Sequence, residues 1–297
     1  MNSAKEFWYH LIHGTLDSET GVFPNLYCRG EHCGDAYAKA EQIAKEEGIV
    51  GPVLIEACRL DNLPDFILPA KAIQINRDSY LLPSFNSYEL KSNEREFVPP
   101  VGIVFGNDEG ELETELIKEA FVAFDKNEDG RFEFELVVDN SRLIKTFLKA
   151  IDFIPCLDGF QLYLNDHWDD SETELWSSKN GESKEELKNF LRNNSGSTLE
   201  NGFVDIVILA KEGNTRLTLN EHKKIAFHTN NEELFEAFIE NITKIGFEQT
   251  RDFYSIEQGY YHWHYRPKDS LNKMALTAVL RVSGFERLEI EERPTDE

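Results

Sequence analysis

Residues 203–210 are apolar at almost every position, so this stretch reads as a buried strand. A turn is expected at 211–214, because Gly213 and Asn214 tolerate the positive φ of a tight hairpin. Beyond it, 215–219 alternates with Leu217 and Leu219 on one face, and Ile225 and Phe227 keep that parity past a polar stretch at 220–224. A helix is expected to follow. Thr229 is its expected N-cap, with Glu232 completing a capping box. Leu234, Phe235, Phe238, Ile239, Ile242 and Ile245 form one apolar stripe, and Gly246 is placed to end it.

An earlier stretch repeats this order. Leu143, Ile144, Phe147, Leu148, Ile151 and Ile154 carry the same stripe, each 91 positions before its counterpart. Asp139, Asn140 or Ser141 can cap that helix. Ahead of it, 131–138 alternates with Phe132, Phe134 and Leu136 on one face, joined through a turn-like 127–130 to a strand at 119–125. A shared order of strand, turn, strand, cap and helix suggests an internal duplication.

Elsewhere the pattern gives strands at 7–14, 51–58 and within 70–82, a polar loop at 17–34 and a helix at 35–47. The segment 83–100 is polar, closes on Pro99-Pro100 and reads as a linker to a short strand at 101–106. After the first repeated helix come a strand at 159–164, a helix at 183–192 boxed by Ser183 and Glu186, and a polar loop at 193–202. After the second come strand material at 253–265 and a helix capped by Asp269 or Ser270. That helix carries Leu271, Met274, Ala275, Ala278, Val279 and Val282. A closing strand at 285–290 and a frayed charged tail at 291–297 follow.

The expected fold class is α+β. A small N-terminal β-α-β domain (1–83) and a linker (84–100) precede two related β-β-α-β-α-β modules (101–197 and 198–297), with mostly antiparallel sheets and helices on one face. A cleft between the modules would suit a small ligand.

Charge changes the picture most. With 55 acidic and 31 basic side chains the formal net charge is −24. Such a surface repels phosphate backbones and anionic membranes, so neither nucleic acid nor membrane is an expected partner. It suits a basic protein partner. The N-terminal residues lack an apolar core of the signal-peptide kind, no run is long enough to span a bilayer, and four Cys do not make a disulfide framework. Cytoplasmic location with reduced thiols is the expectation; the oligomeric state is left open.

Candidate chemistry is sparse. Cys28, His32 and Cys33 place two thiols and an imidazole within six residues, near His10, His13 and Cys58 in the same expected domain. Zinc takes four such ligands, but the Cys spacing is unlike that of known zinc pairs, and free thiols are the plainer reading. His262 and His264 would project from one strand face, where paired imidazoles hold a metal or move protons. Asp166, Asp169 and Asp170 surround His167, as a hard-cation site or simply a solvated acidic loop.

Residues 125–130 resemble the opening of an EF-hand loop, with Asp125, Asn127 and Asp129 as oxygen donors. The position for the bidentate Glu holds Leu136, and strand-like alternation follows, which favours a hairpin turn. Phosphate-loop, dinucleotide, nucleophile-elbow and zincin motifs are absent from the sequence. The leading expectation is a non-catalytic acidic binding protein of inhibitor, immunity or regulatory type, with a metal-dependent hydrolase or metal-binding protein as the alternative.

Overall fold

The computed structural model describes residues 5–90, 97–106, 117–178, 183–258 and 262–289. The leader expectation at the extreme N-terminus, strand material at 259–261 and the charged tail therefore fall wholly or partly outside the described residues. In chain order the first elements are β1 (Glu6–Thr15), β2 (Thr20–Gly30), α1 (Cys33–Glu46), β3 (Val50–Arg59), β4 (Ile73–Asn76), β5 (Ser79–Glu89) and β6 (Ile103–Gly106). Then come β7 (Ala120–Phe124), β8 (Phe132–Val137), α2 (Asn140–Phe153), β9 (Leu157–Leu164), β10 (Glu174–Ser177) and α3 (Lys184–Asn193). The chain continues with β11 (Val204–Ala210), β12 (Thr215–Leu219), β13 (Ile225–Thr229) and α4 (Glu232–Lys244). It closes with β14 (His262–His264), α5 (Lys273–Val282) and β15 (Glu286–Leu288).

These elements form two mostly antiparallel sheets with helices, an α+β fold. The chain divides into two compact units, Met1–Ile117 with Ile256–Lys268, and Lys118–Ser255 with Asp269–Glu297. The expected boundaries at 83, 100 and 197 are not those of the units. The 84–100 segment begins inside β5, and β14 belongs to the first unit rather than to a C-terminal module.

The first unit is a sheet ordered β14-β6-β3-β1-β2-β5-β4, parallel only between β3 and β6. Alternation along β1 sends Trp8, His10 and Ile12 to one face. There they meet α1, whose Ala36, Ala40, Ile43 and Ala44 are buried. Phe7 and Tyr27 are buried in a second apolar cluster, with Tyr9 and Phe66 packed against it.

The expected loop at 17–34 is instead β2, paired with β1 and β5. Its Pro24 falls at a register shift between Phe23 and Asn25 in the β2–β5 ladder, an irregularity of the kind that tolerates a missing backbone donor. His32 caps α1: its Nδ1 accepts from the Asp35 backbone N–H at 3.3 Å.

The second unit is a single sheet, ordered β15-β10-β9-β11-β12-β13-β8-β7 and antiparallel throughout. Val204, Ile206, Ile208 and Ala210 of β11 share one core with the buried residues of α2, α3, α4 and α5. The helices therefore line one face of the sheet. Both repeated stripes lie in this core, and β8 pairs directly with β13. Where β8 meets β13 the core is filled by aromatic packing, with Phe227 stacked on Phe238 at 4.0 Å and Phe134 edge-on to Phe238 at 5.2 Å.

Local details depart from expectation in three places. The alternation at 215–227 is two strands, β12 and β13, joined by a turn in which Asn220 accepts from Lys224 through its side chain. The cap of α4 is Asn231, accepting from the Leu234 N–H at 3.1 Å. Thr229 is instead buried and bonded to Thr215 at 2.7 Å. The cap of α5 is Asn272, and that helix buries Leu276, Thr277 and Leu280 rather than the Met274–Val282 stripe. Gly213 has φ +66°, and a Cβ there would lie 2.7 Å from that of Asn231.

Candidate functional site

In the first unit, β14 presents His262 and His264 from one side while Trp263 packs toward the α1 core, edge-on to Trp8 at 5.2 Å. The two imidazole rings stand 5.1 Å apart. The period-two pattern thus does bring this predicted pair together. Paired imidazoles at this separation supply two nitrogen ligands of the kind zinc and copper accept.

The cysteine cluster is placed differently. Cys28 lies in β2 and Cys33 opens α1; both thiols are buried, and His32 turns its Nδ1 to the helix cap. Burial raises the Cys28 thiol to about 11 and pushes Cys33 up as well, so both are held protonated and inert. Among the described residues, no group of three ligating side chains within 4.8 Å of one another includes Cys28, His32 or Cys33. His10 is fully buried on the α1 face, neither ring nitrogen has a side-chain or backbone hydrogen bond of good geometry, and burial lowers it to about 3. It is a neutral core imidazole.

In the second unit, 127–130 is the expected hairpin turn. The Asn127 side chain accepts from the Arg131 N–H at 3.0 Å, and β7 and β8 flank the turn where an EF-hand needs helices. The acidic loop after β9 carries its own cation. Lys273 donates to both carboxylate oxygens of Asp170, at 2.7 and 2.8 Å, and to the Glu172 carbonyl at 2.7 Å. Its ammonium also sits 3.8 Å from Glu174. Asp170, Glu172 and Glu174 cluster closely enough for a metal, yet the lysine already occupies the cationic position.

A polar cluster that the sequence reading missed gathers at one end of this sheet. Asn165, just past β9, donates to Asp205 at 3.1 Å and to Glu221 at 2.6 Å. His167 meets the same Glu221 oxygen at 3.0 Å and rests against the Phe203 ring at 5.5 Å. Lys223 is buried and donates to the Asn201 carbonyl at 2.6 Å.

Burial, and then the Glu221 charge, lifts Asp205 to about 6. Burial lowers Lys223 to about 8, although Asp205, Glu221 and Glu200 oppose this. Burial also works against charge on His167, but Glu221, Asp166 and Asp205 outweigh it and raise that imidazole. The hydrogen bonds of Asn165 and His167 tie the end of β9, the start of β11 and the 220–224 turn together. The available signal was Asp205 itself, an acid inside the apolar run 203–210.

The outer face of α4 is different in kind. Glu232, Glu236 and Glu240 recur on successive turns, all exposed, with Glu233 beside them. Glu240 meets Lys244 at 2.6 Å, while Glu232, Glu233 and Glu236 have no ion-pair partner among the described residues. Like charges four residues apart destabilise a helix by about 0.2–0.5 kcal/mol per pair. Glu232 and Glu233 lie in the first turn, where the helix dipole favours them, and Glu240 has Lys244, so the uncompensated repulsion centres on Glu236.

No protein-family model, curated protein or solved structure matches this chain. Among the described residues, no helix is long and apolar enough to cross a membrane.

Proposed function

We propose that this is an acidic, non-catalytic binding protein that docks a basic protein partner on the outer face of α4. The observation that carries the reading is the stripe of Glu232, Glu236 and Glu240, a local expression of the −24 net charge. Its repulsion is relieved when a cationic surface covers it, so binding and helix stability improve together. Long-range attraction from the acidic surface raises the encounter rate in the same direction.

The test is capture of lysate proteins on the immobilised chain under rising salt. Expected is a basic protein released by salt and lost with Glu232→Gln/Glu236→Gln/Glu240→Gln, but retained with Glu41→Gln/Glu46→Gln/Glu47→Gln on and beside α1. Equal capture by both triple variants, or capture indifferent to salt, sinks the reading.

A second reading rests on the 5.1 Å separation of His262 and His264: a metal-binding protein, including a metal-dependent hydrolase, that uses this pair. Titration with zinc chloride followed by calorimetry tests it. A saturable site abolished by His262→Ala/His264→Ala supports it, and absence of saturable uptake removes it. Repeating the titration with Cys28→Ser/Cys33→Ser separates the histidine pair from the cysteine cluster.

A further inference from the structure

Strand β4 ends the first sheet, and among the described residues its outer edge pairs with nothing. All four of its residues are exposed, with Ile73 at 52% and Ile75 at 39%. The segment leading into it adds Leu63 at 41% and Ile67 at 85%. An open edge offers unpaired backbone donors and acceptors to any extended chain, and apolar side chains beside it reward the pairing.

Charge decides which chain fits. Lys71 and Arg77 flank the strand, both exposed and without an ion pair among the described residues; Arg77 adds to the positive field on Asp78, whose carboxylate is paired with Lys5. A second copy adding its own β4 antiparallel would bring the Lys71 end of each strand toward the Arg77 end of the other, the register shift between Gln74 and Asn76 displacing the contact by about one residue. Like charges directly opposed across a ladder are destabilising. A basic segment is repelled at both ends for the same reason. An extended segment with apolar residues in its middle and carboxylates at its ends satisfies the backbone, the isoleucines and both cations together.

We propose that the β4 edge binds such an acidic-apolar strand from a partner protein by adding it to the first sheet. This site stands apart from α4 and does not depend on the reading given for that helix.

Two fluorescein-labelled peptides test it on the full chain by fluorescence anisotropy at low salt: Glu-Ser-Val-Thr-Val-Ser-Glu and Lys-Ser-Val-Thr-Val-Ser-Lys, both blocked at their termini. The expected result is at least about tenfold tighter binding of the glutamate peptide, consistent with two charge contacts at a partly exposed edge. Lys71→Glu/Arg77→Glu should reverse the order, and Ile73→Asn/Ile75→Asn should weaken both peptides. Amide shifts on binding should concentrate at 73–76. Equal binding of the two peptides, binding of neither, or an unchanged preference in the charge-reversed variant overturns the proposal. So does a concentration-dependent dimer in sedimentation that Ile73→Asn/Ile75→Asn dissolves, since the occupant would then be a second copy.

Discussion

Glu135 of β8 lies directly opposite Ala226 of β13, and 226 is 91 positions after 135. The same offset relates the α2 stripe to the α4 stripe. A two-fold rotation exchanging the two stretches would therefore pass through this one pair, exchanging Phe134 with Ile225 and Leu136 with Phe227, while across the ladder Phe134 faces Phe227 and Leu136 faces Ile225. The register is the one that a duplicated strand–helix unit gives when its copies pair side by side.

Because aromatic rings pack along the β8–β13 seam, its integrity should dominate the stability of the second unit. Phe238 is fully buried between Phe227 and Phe134. Phe238→Ala is expected to cost about 3–5 kcal/mol, and Phe124→Ala, at the exposed end of β7, under about 1 kcal/mol. Urea unfolding of both variants checks this; similar losses would mean the seam is not the core.

The helix caps make a sharper prediction about local chemistry. Asn231→Ala and Asn272→Ala should each cost about 1 kcal/mol, because each side chain satisfies a backbone donor in the first turn. Asp269→Ala, at the position the sequence suggested as a cap for α5, should change stability by less than about 0.5 kcal/mol. Equal effects at Asp269 and Asn272 would refute the cap assignment.

Two buried titratable groups should act in opposite senses. His10 is held well below its ordinary value, at about 3, so between about 6.5 and 3 the unfolded chain binds a proton that the native one excludes. Its contribution is present above that window and is lost as pH falls through it. Asp205 is raised to about 6, so its contribution is present at low pH and lost as pH rises from about 4 through 6. Either slope is bounded near 1.4 kcal/mol per pH unit for one proton. Hydrogen exchange of β1 peptides against pH should flatten in His10→Phe, and that of β11 peptides in Asp205→Asn. Unchanged slopes would contradict the burial of these groups.

Thiol reactivity gives a direct readout of the first unit. Cys156 is exposed, Cys58 half-buried, and Cys28 and Cys33 buried. Iodoacetamide should label Cys156 first and reach Cys28 and Cys33 only on unfolding, as intact-mass spectra would show. Prompt native labelling of Cys28 or Cys33 would restore the case for an accessible metal or redox loop.

Replacing Glu236 by Gln removes two like-charge neighbours on α4. It should stabilise the fold by a few tenths of a kcal/mol while weakening capture of a basic partner. A loss of stability would mean that the stripe is a helix support rather than a binding face.

Local periodicity carried most of this architecture. The α2 and α4 stripes, the hairpin at 127–130, the Ser183–Glu186 box and the His262/His264 pair all follow from spacing between neighbours along the chain. What escaped depended on partners far away in sequence. The Gly, Pro and Asn of β2 read as loop residues, and only pairing with β1 and β5 makes them a strand. Helix α5 is apolar around most of its circumference, so spacing alone could not choose Leu276 and Leu280 over Met274 and Val282 as its inner face. The Asn165–Asp205–Glu221–Lys223 network joins four points spread over 59 residues, with no motif among them.

The excursion of the chain from Ser255 to Asp269, which lends β14 to the first sheet, bears on how the protein is made. Emerging from the ribosome, the first unit lacks its outermost strand until residues 262–264, made long after the rest of that sheet, have appeared. Until then the edge of β6 stays open, a window in which a chaperone or a neighbouring nascent chain finds a temporary substitute for residues 262–264.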